Sequence, residues 1–145
     1  MSTKENEAKL VEILREWQHI ENQTVVQTAQ IMNRTRHPVI RFIMQIIQSD
    51  SATHFRVQQL ILDTLEKEAI TLTVDDLTGI WDAIEAHVAA ERRTGELVVA
   101  AQRALAGTKN VVQQYLLTYL GHDEKKHDQL LEDLALIKRG MFKSP

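Results

Sequence analysis

Carboxylate and imidazole side chains occupy the middle of apolar helical stripes in this sequence. The stripes have the three- and four-residue period of a helix face that is buried in a core. The ionisable residues on them are Glu21, Asp50, His54, His87, Glu91, Asp123, Glu124 and His127. Oxygen and imidazole nitrogen ligands together suit iron, manganese or zinc better than calcium. The pattern therefore predicts a transition-metal site.

The charge of this set favours the same chemistry. With neutral histidines, five carboxylates would share one cross-section of the core, and no Lys or Arg occupies the stripe positions beside them. Buried carboxylates are strongly unfavourable unless they are protonated, paired or bound to a cation. Two divalent cations would nearly balance the charge. A buried hydrogen-bond network in a structural bundle is the alternative.

Long helices are predicted to position these groups. The apolar period extends over four stretches, at about 5–33, 38–67, 73–107 and 110–140. Pro38 suits a first helical turn, Thr73 with Asp76 resembles a capping box, and Gly107 is a natural helix terminator. Only 5 Gly and 2 Pro interrupt the chain, which is typical of a helical protein.

The two halves of the chain repeat one another. The stripe around Glu21 recurs around Glu91, 70 residues later, and the stripe around His54 recurs around His127, 73 residues later. With a rise of about 1.5 Å per residue, the ionisable groups of all four helices lie at one height. We therefore predict an all-α fold, a four-helix bundle built from a duplicated helical hairpin, with repeats at 5–67 and 75–139 in a single domain over 1–145.

One motif connects this pattern to a known family. Residues 123–127 read Asp-Glu-Lys-Lys-His, which matches the D/E-E-x-x-H motif of the ferritin-like di-iron carboxylate proteins, the group that contains the rubrerythrins. Most of the chain resembles that family, in which two helices each give a Glu and two each give Glu-x-x-His to the core. The resemblance implies a ferritin-like bundle that holds one or two metal ions.

The resemblance also implies a role for each ionisable stripe residue. It implies terminal carboxylate ligands at Glu21 and Glu91, a bridging carboxylate at Glu124, imidazole ligands at His54 and His127, and acceptors that orient the imidazoles at Asp50 and Asp123. The sequence departs from the family at Ser51, where a second bridging Glu would stand. His87 could supply a replacement ligand, or Asp50 could bind directly. A mononuclear, an asymmetric and a standard dinuclear site remain open, as does the order of the helix connections.

By the same resemblance, the chain is expected to be an iron-dependent oxidoreductase or a ferroxidase-type protein, with manganese or zinc as alternative metals. Its small-molecule partner would be O₂ or peroxide. The sequence has no Cys, which excludes an iron–sulfur cluster or a rubredoxin-type centre, so a separate electron donor is expected. The alternatives are a non-catalytic helical-bundle protein for interaction or oligomerisation with a degenerate metal site, and a metal carrier without turnover. We expect a homo-oligomer.

Composition excludes other partners. The formal net charge is −3 and aromatic residues are 5% of the chain, which gives neither a basic stripe nor stacking platforms for nucleic acid. No apolar run of about 18 residues could span a bilayer, and residues 1–7 lack the apolar core of a signal peptide. We therefore expect a cytoplasmic protein without a membrane partner.

Overall fold

The computed structural model describes residues 2–143, which form helices and no strands. The helices are α1 (Thr3–Asn33), α2 (Pro38–Glu66), α3 (Val74–Thr78), α4 (Trp81–Leu105) and α5 (Val111–Lys138). The chain divides into two compact units, Met1–Ile70 and Thr71–Pro145, called here the first and the second unit. The all-α prediction is confirmed. The ferritin-like four-helix bundle and its single domain stay predictions.

Most helices begin or end at the residues that the sequence predicted as helix boundaries. Pro38 lies in the first turn of α2. The backbone N–H of Thr73 donates to Asp76 Oδ2 at 2.7 Å, which is half of the expected capping box. Gly107 and Gly140 follow α4 and α5 with positive φ angles of 75° and 67°. Local sequence signals therefore set these boundaries.

The predicted continuous helix over 73–107 is wrong. The helix breaks after Thr78, and the backbone N–H of Ile80 donates to the carbonyl of Leu77 at 3.2 Å before α4 begins at Trp81. Gly79 lies at the break, and glycine is weak in a helix interior because its backbone is the most flexible. The short α3 buries Leu77, which is 3% exposed.

In the first unit, α1 and α2 pack together along a polar interface. Leu14 and Leu62 are its buried apolar side chains. The buried polar residues are Gln18, Glu21, Thr28, Ser51 and Gln58. On α2 each buried residue lies one position after a residue of the predicted stripe, so Val57, a stripe residue, is 52% exposed. On α1, Trp17 is 51% exposed. Two packed helices need only a narrow stripe, so the wider apolar face is not fully covered within the hairpin.

In the second unit, α4 and α5 form a similar hairpin, and α3 packs on α5. Neither α4 nor α5, each described in full, contains a buried residue. Glu91, Glu124 and His127 are half-buried, and the stripe residues His87, Leu120 and Leu130 are exposed. Within residues 2–143, no helix combines the length and the apolar character needed to cross a bilayer.

Two glycines of the second unit are expected to respond oppositely to alanine. Gly95 lies inside α4, and a Cβ there would have no atom within 4 Å, so Gly95→Ala should stabilise the apo protein by about 0.5–1 kcal/mol. Gly107 has a φ of +75°, so Gly107→Ala should destabilise it by about 1 kcal/mol. Thermal unfolding followed by circular dichroism measures both. Equal shifts for the two variants would contradict this backbone argument.

Candidate metal centre

Three predicted ligands of the second unit lie together. Glu91 on α4 meets Glu124 and His127 on α5, with one potential ligand atom of each residue within 4.8 Å of the other two. Glu124 and His127 are three residues apart, which places both on one face of α5. Among residues 2–143, this is the one group of three or more His, Asp or Glu residues with this spacing.

The carboxylate oxygens of the cluster are short of partners. Glu91 Oε2 and Glu124 Oε2 are buried, and with both carboxylates ionised neither accepts a hydrogen bond from residues 2–143. His127 Nδ1 lies 3.5 Å from Glu91 Oε2, and the Glu91 side chain is only 12% exposed. Buried acceptors without donors are unfavourable, and a divalent cation satisfies both oxygens at once. The donor set therefore fits a metal ion.

The two carboxylates shift each other's pKa in opposite directions. The hydrogen bond with Glu91 raises the pKa of Glu124, and burial and the Glu91 charge raise it further. The hydrogen bond from Glu124 lowers the pKa of Glu91, and the neighbouring imidazoles of His127 and His87 also favour its ionised form. Without metal, Glu124 is therefore the carboxyl of the pair that keeps its proton to the higher pH.

Two further stripe residues flank the cluster. His87 Nε2 lies 3.1 Å from Glu91 Oε1, one turn earlier on α4. Asp123 Oδ2 lies 3.6 Å from His127 Nε2, and its other oxygen pairs with Lys126 Nζ at 2.8 Å. The Nδ1 atom of His127 thus faces the carboxylates while Nε2 faces Asp123. This is the arrangement in which an acidic acceptor orients a ligating imidazole.

The first unit brings together fewer of the predicted ligands. His54 Nδ1 lies 3.4 Å from Glu21 Oε1, and Gln58 Nε2 donates a hydrogen bond to the same oxygen at 3.4 Å. The Glu21 side chain is 8% exposed and that of His54 is 59% exposed. Asp50 is half-buried on α2 and belongs to no group of three potential ligands within the described residues.

The sequence patterns missed the buried amides of the first unit. Gln18 Nε2 donates to Gln59 Oε1 at 3.0 Å and to the carbonyl of Phe55 at 3.4 Å. Gln18 and Gln58 stand off the apolar stripes, and a glutamine there normally indicates a solvated position. The available signal was their spacing, since Gln18 lies three residues before Glu21 and Gln58 four residues after His54.

No family model, curated protein or solved structure matches the chain. The resemblance to the ferritin-like family therefore depends on the motif at 123–127 and on the repeat.

Proposed function

We propose that the second unit binds a divalent transition-metal ion through Glu91, Glu124 and His127. The observation that carries the proposal is the pair of buried oxygens, Glu91 Oε2 and Glu124 Oε2, that accept no hydrogen bond from residues 2–143 with both carboxylates ionised. They lie beside an imidazole nitrogen in the one three-residue group of potential ligands that the described part of the chain contains. Two carboxylates and one imidazole favour iron, manganese or zinc.

Iron is the proposed metal, and redox chemistry with O₂ or peroxide is the proposed activity of this ferritin-like protein. The motif resemblance supports both. A cavity of about 290 Å³ beside the cluster is lined by Glu124, Gly95 and Gly121, so a small oxidant has space next to one ligand. Electrons would come from a separate donor, because the chain has no Cys for an iron–sulfur centre.

Oligomerisation is a second candidate function, and the exposed apolar side chains of the first unit favour it. Ile13, Trp17 and Ile20 on α1 and Val57 on α2 are each about half exposed, between 48% and 52%. The three α1 residues share one face of the helix by their spacing, and exposed apolar side chains grouped in this way are typical of interaction sites. A homo-oligomer would be consistent with this surface and with metal binding alike.

Metal titration of protein purified without a chelator tests the metal proposal. Wild type and His122→Ala should bind Fe²⁺, Mn²⁺ or Zn²⁺ and melt at a higher temperature with it, whereas His127→Ala should bind weakly. His122 is the matched control because it is an exposed histidine on the same helix. Less than about a tenth of an equivalent on wild type, with no thermal shift, would reject metal binding in favour of the interaction function.

The Glu91–Glu124 pair makes the stability of the apo protein depend on pH. Because the pKa of Glu124 is raised, its protonated form stabilises the fold below that pKa, and this contribution is lost as the pH rises through it. Glu124→Gln mimics the protonated carboxyl at every pH. In EDTA, the midpoint of Glu124→Gln should therefore rise relative to wild type between about pH 4.5 and pH 8.

The exposed Glu132 on the same helix provides the control for this measurement. Glu132→Gln removes a carboxylate that does not belong to the Glu91–Glu124 pair, so its midpoint relative to wild type should show no such rise. The lowered pKa of Glu91 affects the stability of the fold in a separate pH range. Ionised Glu91 stabilises the fold, and this stabilisation is lost as the pH falls below the ordinary glutamate range. A constant difference between Glu124→Gln and wild type would contradict the raised pKa of Glu124.

A further inference from the structure

The two hairpins are sequence repeats, but the residues at their polar centres differ, and two of the differences lie on α2 and α5. Ser51 in the first unit corresponds to Glu124 in the second, and Gln58 corresponds to Leu131. Both Ser51 and Gln58 are buried, with exposures of 5% and 3%. The first unit therefore has a hydroxyl and an amide where the second has a carboxylate and an aliphatic side chain.

We infer that Ser51 and Gln58 make the first unit a metal-free counterpart of the second, so that Glu21 and His54 do not hold an ion. The inference rests on the proposed metal site at Glu91, Glu124 and His127. It assigns Ser51 and Gln58 as the residues that determine which of the two repeats binds metal.

Glu21 already has polar partners in the first unit. One oxygen, Oε1, accepts the hydrogen bond from Gln58 Nε2 at 3.4 Å and lies 3.4 Å from His54 Nδ1. An amide N–H directed at this carboxylate supplies the positive end of a dipole at the place where a cation would bind. A metal ion on Oε1 would have to displace that donor, and Gln58 is too deeply buried to recover the bond with water.

The two polar centres also differ in charge. The first unit has the neutral hydroxyl of Ser51 where the second unit has the carboxylate of Glu124, which lies beside Glu91. A carboxylate oxygen of Glu91 and one of Glu124 lie within 4.8 Å of each other, so the second unit holds two acidic groups at its centre. A divalent cation balances these two charges, whereas the first unit has a carboxylate at only one of the two matching positions.

The second unit has no counterpart of the buried amide: His87 Nε2 lies 3.1 Å from Glu91 Oε1, but no amide among residues 2–143 donates to the Oε2 atoms of Glu91 and Glu124. Leu131 stands where Gln58 stands in the repeat, and Val88 stands where Gln18 stands. Aliphatic side chains donate no hydrogen bond. With both carboxylates ionised, Glu91 Oε2 and Glu124 Oε2 accordingly accept none from residues 2–143, while Glu21 Oε1 has its amide donor.

Two single variants, each measured as full-length protein with Fe²⁺ or Zn²⁺ alone, test this assignment. Glu124→Gln should lower the metal content to less than about a tenth of wild type, since it removes a direct ligand, and Glu21→Gln should leave it unchanged. Loss of metal from Glu21→Gln would overturn the inference. So would an ion on Glu124→Gln that a further Glu21→Gln substitution removes.

A gain of function provides the complementary test. In the Glu124→Gln background, Ser51→Glu with Gln58→Leu recreates the donor set of the second unit beside Glu21 and His54, and should restore about one ion per chain. Ser49→Glu with Gln58→Leu adds the same charge at an exposed position of α2 and should restore none. Failure of the Ser51→Glu protein to bind, with circular dichroism showing intact helices, would contradict the assignment.

The two tests separate this inference from the proposed function. If wild type binds no metal, the proposed function is wrong, and the inference then stands only if the Ser51→Glu, Gln58→Leu protein acquires an ion. If wild type binds metal and Glu21→Gln loses it, the proposed function stands and the inference is wrong. Should the double variant fold poorly, the comparison of Glu21→Gln with Glu124→Gln still decides the matter.

Discussion

Glu91→Ala is expected to remove most of the bound metal without lowering the melting temperature of the apo protein. Substituting a residue that only orients a metal ligand typically lowers the metal affinity by about 10–100-fold. Losing a direct ligand should therefore lower it by more than about 100-fold. The apo fold should tolerate the change, because alanine removes one of two facing carboxylates. The contacts that it loses are to His87 and His127, whose side chains are 60% and 39% exposed. Alanine is also the strongest helix former.

The measurements are metal content by elemental analysis and thermal unfolding in EDTA. Glu96→Ala is the matched control, since Glu96 is a 59% exposed residue of α4 that pairs with Arg93. It should keep the full metal content. The pKa of Glu124 should also fall toward its ordinary value in Glu91→Ala, because its largest source of elevation is the hydrogen bond with Glu91. A markedly lower apo melting temperature for Glu91→Ala would show that Glu91 is structural.

The helices were largely predictable because their signals are local. Capping at Thr73, the position of Pro38 and the positive φ at Gly107 each depend on neighbouring residues alone. The break after Thr78 was not predicted, because the apolar period continues through Gly79 and Ile80. Whether a glycine ends a helix or lies inside it depends on packing, as Gly79 and Gly95 show.

The candidate site was predictable where its residues share one helix face. The spacing of Glu124 and His127 fixes their proximity, and the repeat indicated Glu91 as the residue opposite them. The roles of Gln18 and Gln58 were not predictable, since they arise from contacts between α1 and α2. The apolar period predicts the buried face of a helix only to within about one residue. The buried positions Ser51 and Gln58 each lie one residue after a position of the predicted stripe on α2.

Leu62→Ala is expected to have the largest effect on the stability of the first unit. Leu62 is 0% exposed, and together with Leu14 it supplies the buried apolar contact of the hairpin. Removing a fully buried leucine side chain destabilises a protein by about 2–5 kcal/mol, because apolar burial is lost and a cavity remains. The apo melting temperature of the first unit should fall by roughly 10–40 °C. The other buried side chains of the hairpin are polar, so few apolar groups are available to fill the space.

The first unit can be followed on its own through the fluorescence of Trp17, in a Trp81→Phe background that removes the other tryptophan. Leu60→Ala is the control, because Leu60 lies on the same helix and is 55% exposed. Its effect should be small, since most of its surface is in water before and after unfolding. Comparable losses for Leu60→Ala and Leu62→Ala would contradict the packing of α1 on α2. A loss confined to Leu62→Ala would identify burial of Leu62 as a main source of the stability of the α1–α2 hairpin.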